Sequence, residues 1–444
     1  MNKDFREKLN FFSFSDIDSG RKDRIMKFTS TEATPAPHVP PGVLRLTGAA
    51  KEDIPMYRIQ TMNKISPVGL NRFPSELYEV GDAVQDPQGI LVRSAKLLDL
   101  EFNPSLLAIA RAGVGVNNIP LDRCAAAGIP VFSTPGANAN AVKELVICAM
   151  LMGSRDIPGA IRWVREQAAS GVDVSTVVEK GKSAFIGPEL YKKTLGIIGL
   201  GAIGSIVANT AISLGMDVYG YDPFLSVDTA LRLDRHVHVV KDINDLYKRS
   251  DYITMHIHYT EKTAHMIDAS AIAAMKRGVR VINLARGEIV DDEAMLTALD
   301  TGMVAAYITD FPNNRLLTAP HVIAMPHLGA STPESEQNCA AMAVDTLRDY
   351  LESGNIRSSV NLPEMTMDRS GVQRLCVLHK NVPGMLANIT SLFGRDGVNV
   401  ENLSNKSRGD YAYTMVDLGS KVGDNVIEDV RRTANVIRVR SLEW

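Results

Sequence analysis

The chain has 444 residues, too many for one compact core, so we expect two or three domains. Its hydrophobic fraction of 45% and its net charge of -3 are typical of a soluble globular protein. This balance gives no attraction to nucleic acid or to an anionic membrane, and no apolar run reaches the length of a transmembrane helix. We therefore expect neither nucleic acid nor a membrane as a partner.

The first 55 residues are rich in Pro, Thr and Ala with little apolar periodicity, which predicts a poorly ordered extension. They match neither a secretory nor a transit peptide, and a native start at Met56 remains open. The four cysteines are scattered, which fits neither a metal cluster nor a disulfide framework and indicates a reducing, cytoplasmic compartment. They are predicted to be small buried side chains, and they are Cys124, Cys148, Cys339 and Cys376.

From Met56 onward, strand-like and helical segments alternate, as expected for a parallel sheet covered by helices. Four short apolar runs are predicted to be buried strands: YRIQTM, GILVRS, LAIARAGV and IPVFST. A longer helix is predicted from about Ala139 to Ser154, and it leads into a second unit that alternates in the same way.

The second unit opens with TLGIIGLGAIGS, an apolar strand that runs into three spaced glycines. The first glycine permits a tight turn, the second lets a pyrophosphate approach the backbone, and the third lets a helix pack on the strand. A carboxylate after the next strand suits the ribose hydroxyls of NAD rather than NADP. A glycine turn that serves packing alone is the alternative. The predicted cofactor contacts here are Gly199, Gly201, Ala202, Ile203, Gly204 and Asp222.

Three later strands of this unit each end near a candidate site residue. DYITMHIHY ends near His256, VRVINLARG leads to Arg286, and HVIAMPHLG leads to His327. Because ligands of open parallel sheets bind at the carboxyl ends of the strands, we expect these side chains to gather at one edge.

Four segments in order resemble the D-isomer-specific 2-hydroxyacid dehydrogenases: RAGVGVNNIPLDRCAAAGIPVFSTPGANANAVKEL, GLGAIGS, INLARGEIVD and MPHLGASTPES. The resemblance extends over most of the chain after residue 56. It implies an α/β fold with two doubly wound parallel-sheet domains, a flavodoxin-like substrate domain and a Rossmann NAD domain, with the active site between them. The implied boundaries are 56–137 and 330–368 for the discontinuous substrate domain and 138–329 for the NAD domain.

In this family a hydride moves between nicotinamide and the substrate carbon, so the substrate oxygen must exchange a proton. The resemblance implies that His327 exchanges this proton and that Arg286 orients the substrate carboxylate. A salt bridge from Arg286 to Glu288 or Asp291 is the alternative. The residues that the resemblance places on the cofactor are His256, Leu284, Ala285, Arg286, Thr309, His327, Gly329 and Ala330.

The segment TDFPNN departs from the family pattern. Asn314 stands where the family has a glutamate that supports the catalytic histidine, and Thr309 stands where it has a cofactor-contacting aspartate. An amide can orient an imidazole but cannot stabilise its charge. Asp310 is the nearest carboxylate, and we hypothesise that it is the third catalytic residue, replacing the missing acid.

An early strand ends in an arginine at the position where the family binds a substrate phosphate, and arginine suits phosphate by charge and geometry. The implied reaction is the NAD-dependent oxidation of 3-phospho-D-glycerate to 3-phosphohydroxypyruvate, which begins L-serine synthesis. Lys64 is a further candidate cation, or a solvated lysine. The predicted substrate contacts are Arg93, Ser94, Val114, Gly115 and Asn138.

Residues 371–444 have a βαββαβ pattern and resemble the ACT regulatory domain through HKNVPGMLANIT and DGVNV. The resemblance implies that His379, Asn381 and Asn399 bind L-serine as an effector. It also implies a homo-oligomer, a dimer or a tetramer. An ACT-like domain that serves only subunit association is the alternative.

Two other functions stay open from the sequence. The first alternative is a dehydrogenase or reductase for another D-2-hydroxy acid. The second is a sensor of NAD(H) and amino acids that has lost catalysis. The missing glutamate favours the sensor, whereas the retention of Arg286 and His327 counts against it.

Overall fold

The computed structural model describes residues 56–444. The predicted extension over residues 1–55 lies outside the described residues. Within 56–444 the chain forms two parallel sheets and one antiparallel sheet, all covered by helices. The predicted α/β fold class is therefore confirmed, while the predicted domain boundaries remain predictions.

The first sheet has five parallel strands, in the order β2-β1-β3-β4-β5. Its strands are short and apolar, and all four residues of the third strand are buried, as expected when helices cover both faces. The elements are β1 (Tyr57–Met62), α1 (Pro67–Leu70), β2 (Tyr78–Gly81), β3 (Gly89–Val92), β4 (Ala108–Arg111), α2 (Leu121–Ala126) and β5 (Val131–Phe132).

The second sheet has seven parallel strands, in the order β12-β11-β10-β9-β6-β7-β8. The predicted helix that starts at Ala139 ends at Arg155, where Asp156 takes a left-handed conformation. The elements are α3 (Ala139–Arg155), α4 (Ile157–Ala169), α5 (Val174–Gly181), β6 (Thr194–Ile198), α6 (Ala202–Ser213), β7 (Asp217–Tyr221), α7 (Val227–Arg232), β8 (Val237–Val240), α8 (Ile243–Arg249), β9 (Tyr252–Met255), α9 (Ala269–Ala273), β10 (Val279–Asn283), α10 (Asp292–Asp300), β11 (Val304–Thr309) and β12 (Val322–Ala324).

Strand β6 lies between β7 and β9, so the chain winds outward in both directions from this point. Such a reversal of strand order opens a crevice at the carboxyl edge of a parallel sheet, where ligands bind. The glycine-rich segment directly follows β6 and therefore lies at this crevice.

Helix α11 (Pro333–Ser353) carries the chain from the second sheet back to the first. Thr332 caps its amino end by accepting a hydrogen bond from the Ser335 amide, and Gly354, with a φ of 76°, ends it. Its buried side chains share one core with β1 and β3 of the first sheet. Helix α11 follows the second sheet in the chain but contributes to the hydrophobic core of the first sheet.

The third sheet is antiparallel, in the order β14-β15-β13-β16, with both of its helices on one face. The predicted βαββαβ order is confirmed. The elements are β13 (Gln373–Lys380), α12 (Met385–Arg395), β14 (Val400–Arg408), β15 (Tyr411–Leu418), α13 (Asp424–Arg432) and β16 (Val436–Glu443).

The helix-free face of the third sheet packs on the carboxyl end of α11, and we call it the docking face. The Arg440 guanidinium donates to the carbonyls of Tyr350 and Leu351 at 3.0 and 2.8 Å. The Tyr413 hydroxyl donates to the Gly354 carbonyl at 2.6 Å. These side chains satisfy carbonyl groups that a helix end leaves without partners. The docking face is defined by Arg374, Cys376, Leu378, Tyr413, Met415, Arg440 and Leu442.

Among residues 56–444, no helix has the length and apolar character that crossing a bilayer requires. All four cysteines are free thiols, and Cys148 is the exposed one.

Candidate active site

The loop after β6 has the geometry of a phosphate cradle. Gly199 has a φ of 90°, which favours glycine, and a Cβ atom on Gly204 would lie 1.9 Å from the Gly199 carbonyl oxygen. A Cβ atom on Gly201 would meet nothing within 4 Å, so this position borders open space. No side chain caps the amino end of α6, which begins at Ala202. The amides there are available to an anion, as in dinucleotide sites.

Asp222 follows β7 and lies beside this loop. One carboxylate oxygen accepts a hydrogen bond from the Leu200 amide at 2.9 Å, and the other accepts one from the Phe224 amide at 2.8 Å. The two amides fix the carboxylate at the strand end, and each oxygen keeps a lone pair for a further donor. The geometry suits a ribose hydroxyl, and the ribose contact itself remains a prediction.

His256 follows β9 on the other side of β6. Its carbonyl carbon lies 3.0 Å from the position of a Cβ atom on Gly199, so the two loops are in close contact. Burial lowers the pKa of His256 to about 4, because an apolar environment disfavours the charged imidazolium. This ring is therefore neutral at pH 7.

Arg286, Asp310 and His327 follow the neighbouring strands β10, β11 and β12. A Cβ atom on Gly287 would lie 3.3 Å from the Cβ atom of Phe311, and the Phe311 and His327 ring centroids are 4.8 Å apart. Phe311 thus bridges the two loops. The structure brings the predicted proton-transfer residue and the predicted carboxylate-binding residue to one wall of the crevice. Within residues 56–444, Arg286 forms no salt bridge with Glu288 or Asp291.

The carboxyl edges of the two parallel sheets face each other. Gly115 follows β4, and a Cβ atom on it would lie 3.4 Å from Nη2 of Arg286. Gly136 follows β5, and a Cβ atom on it would lie 3.2 Å from the Cβ atom of Ala202. Predicted substrate and cofactor residues therefore line opposite sides of one cleft.

Arg111 is a site residue that the sequence reasoning missed. Its Nη1 atom lies 2.6 Å from the position of a Cβ atom on Gly113 and 3.8 Å from that on Gly115, and its Nε donates to the Arg93 carbonyl at 3.0 Å. Burial lowers the pKa of Arg111, and the charges of Arg286 and Arg93 lower it further. The guanidinium groups of Arg111 and Arg286 thus lie against the loop after β4, and the charge of Arg93 is close enough to lower the pKa of Arg111. The missed signal was that Arg111, like Arg93, stands at the carboxyl end of a strand.

Asp310 is buried, with 1% of its surface exposed. One carboxylate oxygen accepts a hydrogen bond from the Gly329 amide at 3.1 Å, and the other is buried with no partner among the described residues. Burial raises the pKa of Asp310, while the Gly329 amide and the nearby charge of His327 oppose the rise. No hydrogen bond joins Asp310 to the exposed His327 ring within residues 56–444. Asp310 therefore anchors the loop that carries His327, and its role as the third catalytic residue remains a prediction.

The two asparagines of this loop are both exposed. The Asn313 side chain donates to Asp292 at 2.7 Å and accepts from the Arg315 and Leu316 amides, so it stabilises the turn. Asn314, at the position of the family glutamate, forms no hydrogen bond with His327 among the described residues.

We expect Asp310→Asn to lower the rate of hydroxy acid oxidation and to shift the acid limb of its pH profile to lower pH, because the variant removes a negative charge beside His327. Because the pKa of Asp310 is raised, the folded chain favours the protonated carboxyl. The contribution of this group to the free energy of unfolding is therefore present at low pH and is lost as pH rises through the folded-state pKa. The variant should therefore unfold no more easily than the original chain at pH 7. Rate profiles from pH 5 to 10 and urea titrations are the measurements. An unchanged pH profile would show that the carboxylate has no role.

The other predicted contacts range from fully buried to exposed. The Thr309 hydroxyl is fully buried and accepts from the Phe311 amide at 3.1 Å. Asn138 has a buried side-chain oxygen without a partner among residues 56–444, which leaves an acceptor for a ligand. Leu284 and Gly329 are buried, Ala285, Ala330 and Val114 are half-buried, and Ser94 and Lys64 are exposed.

The structure does not bring the three predicted effector residues together within the chain. His379 and Asn381 lie at one end of the third sheet, where Lys380 pairs with Tyr411, whereas Asn399 lies at the other end, where Val400 pairs with Leu418. His379 is buried, with its ring nitrogens 2.9 Å from the Thr414 hydroxyl and 2.8 Å from the Lys380 carbonyl. Asn381 and Asn399 are exposed, and none of the three hydrogen-bonds another within the described residues. The effector site remains a prediction.

Comparisons with known proteins identify the family to which the chain belongs. Residues 147–329 match the family model of the D-isomer specific 2-hydroxyacid dehydrogenase, NAD binding domain. The chain is 36% identical over 326 residues to D-3-phosphoglycerate dehydrogenase of Synechocystis, covering 71% of this chain and 56% of that protein. It therefore spans little more than half of that relative. It is 31% identical to the Haemophilus influenzae enzyme of the same name, covering 82% of this chain and 88% of that protein.

Solved structures have the same fold over much of the chain. An NAD+-bound 3-phosphoglycerate dehydrogenase of Entamoeba histolytica superimposes with a TM-score of 0.53 at 26% identity, covering 69% of this chain and 99% of that one. The D-mandelate dehydrogenase of Rhodotorula graminis, at 21% identity, has a TM-score of 0.59, covering 71% of this chain and 100% of that one. The chain belongs to the D-isomer specific 2-hydroxyacid dehydrogenase family.

Proposed function

We propose that the chain catalyses the NAD-dependent oxidation of 3-phospho-D-glycerate to 3-phosphohydroxypyruvate, the first step of L-serine synthesis. The observation that carries this proposal is a group of three arginines that follow or end parallel strands: Arg93, Arg111 and Arg286. Arg111 and Arg286 lie against the loop after β4, and the charges of Arg93 and Arg286 both lower the pKa of Arg111. A substrate with a carboxylate and a phosphate carries two anionic groups for such a cluster, and arginine binds both groups bidentately. The names of the relatives support the same reaction.

The chain's own residues can hold NAD in the cleft. The loop from Gly199 to Gly204 and the free amino end of α6 suit the pyrophosphate, and Asp222 suits the adenosine ribose. When bound, the nicotinamide supplies the acceptor for the substrate hydride. His256, which is neutral at pH 7, adds no positive charge beside the glycine loop.

His327 takes the proton of the substrate hydroxyl during oxidation and returns it during reduction. Arg286 holds the substrate carboxylate and stabilises negative charge on the reacting oxygen, because its planar fork offers two parallel N–H groups. Arg93 and Arg111 bind the phosphate at the far end. Asp310 supplies the negative charge that the family takes from a glutamate.

An assay of the purified full chain with NAD and 3-phospho-D-glycerate tests this function through the absorbance of the reduced cofactor. D-glycerate in the same assay distinguishes a dehydrogenase for unphosphorylated D-2-hydroxy acids. NADH binding without turnover of either substrate would leave only the sensor.

We expect Arg93→Gln to raise the KM for 3-phospho-D-glycerate by about ten- to a hundredfold, the usual loss for a hydrogen bond to a charged group. The kinetics with D-glycerate should not change, since that substrate has no phosphate. Arg72→Gln is the matched control, because Arg72 makes a similarly exposed ion pair with Asp345 of α11. If both substrates weaken equally, Arg93 does not read the phosphate.

L-serine as an effector of the third sheet, and assembly into a homo-oligomer in the cytoplasm, belong to the same proposal. Support for them comes from the βαββαβ order and from the free thiols. Serine added to the assay should lower the rate or change the thermal stability of the chain. No effect on either would remove the feedback proposal.

A further inference from the structure

We call Arg93, Arg111 and Arg286 the arginine cluster. One carboxylate of the chain already pairs with it. Oε1 of Glu336, in α11, lies 2.5 Å from Nη2 of Arg93. Among residues 56–444, no other carboxylate forms a salt bridge with Arg93, Arg111 or Arg286. Glu336 is therefore the direct counter-ion of Arg93, whose charge also acts on Arg111.

The pair is built so that it can open. Both side chains are 44% exposed, and a single nitrogen of Arg93 makes the contact. Exposed ion pairs of this kind are weak, because water and salt screen the attraction and two long side chains lose freedom. Among the described residues, the other donors of Arg93 have no partner, so they can bind a second acceptor.

A phosphate group is a stronger partner for this arginine than a carboxylate. It carries more charge and presents several acceptor oxygens that a guanidinium can bind in parallel. Arg111, whose Nε donates to the Arg93 carbonyl, adds a second positive charge next to the site. A phosphate at this end of the cleft would meet both.

We propose that Glu336 is a built-in competitor for the phosphate subsite, which pairs with Arg93 in the free chain and is displaced when a phosphate group binds. This inference rests on the proposed function and adds a residue that sets phosphate affinity. Glu336 weakens the binding of any phosphate by the same factor. Free inorganic phosphate, which is held at this subsite alone, then binds more weakly. A substrate that also contacts Arg286 has a second source of affinity and still binds.

Substituting Glu336→Gln is expected to tighten inorganic phosphate binding by about 1.5-fold to fivefold, the range for an exposed ion pair. The KM for 3-phospho-D-glycerate should fall by a similar factor, with kcat, the D-glycerate kinetics and NADH affinity unchanged. The change should shrink at high ionic strength, as a purely structural change would not.

Calorimetric titration of the full chain with inorganic phosphate measures the effect without turnover, so it is separate from the proposed reaction. Glu334→Gln is the matched control: it lies in the same first turn of α11, is exposed, and forms no salt bridge among the described residues. Tighter phosphate binding in the Glu336 variant alone supports the proposal. Unchanged or weaker binding, or an equal change in both variants, overturns it. Failure of the chain to oxidise 3-phospho-D-glycerate, with the phosphate titrations as expected, would instead refute the proposed function.

Discussion

Replacing His327 with asparagine is expected to lower kcat by about a hundredfold to ten-thousandfold, the usual contribution of a positioned acid or base. Asparagine cannot exchange a proton with the substrate oxygen, so the hydride step loses its partner. The affinity for NADH should remain close to that of the original chain, because the glycine loop and Asp222 are untouched. Steady-state rates and NADH fluorescence titrations measure the two effects separately.

The control is His321→Asn, an equally exposed histidine just before β12. His321 has a φ of 65°, which asparagine tolerates, so the variant should keep its fold and its rate. If His327→Asn retains full activity, another group carries the proton and the assignment fails. If both variants lose activity, the loss reflects a disturbed β12 and its loops rather than the missing imidazole of His327.

Residues at strand ends were the part of the candidate site that sequence reasoning could reach. Arg286 and His327 follow buried strands, and the structure brings both to one wall next to Phe311. Arg111 was within reach by the same rule. The pairing of Arg93 with Glu336 was not, because the two residues are 243 positions apart and their contact depends on where α11 returns to the first sheet.

The third sheet shows a similar division. The βαββαβ order of its elements along the chain followed from the sequence pattern, but its docking on α11 did not. The signal was present in β13, where seven of eight residues are buried. A strand with one solvated face alternates between apolar and polar residues, so a strand buried on both faces requires a second cover. The helices cover Leu375 and Val377. On the other face, Cys376 lies beside Gly354 at the end of α11, and Leu378 lies beside Gly128, just before β5.

Helix α11 therefore contacts both the candidate site and the third sheet. Glu336 at its amino end pairs with Arg93, and its last carbonyls accept from the docking face. The helix is 21 residues long, which corresponds to about 30 Å. A change in the third sheet that moved this helix would reach the arginine cluster without an intervening linker.

The docking face contains a buried ion pair whose loss should have the largest effect on stability. Arg374 and Asp417 face each other on β13 and β15, both fully buried, with two hydrogen bonds of 2.6 and 2.7 Å. Arg374 also donates to the carbonyls of Ser353, Met367 and Asp368, so each of its five donor hydrogens has a partner. The arginine joins the third sheet to the end of α11 and to the segment that follows it.

Asp417→Asn should lower the free energy of unfolding by about 3–5 kcal/mol, because it leaves a guanidinium charge buried without its counter-ion. Glu443→Gln, in the exposed pair with Lys421, is the control and should cost less than about 1 kcal/mol. Urea titration followed by circular dichroism measures both. A loss in the Asp417 variant no larger than in the control would mean that water reaches Arg374. The third sheet would then separate readily from α11, whereas the expected large loss would show that it is an integral part of the folded chain.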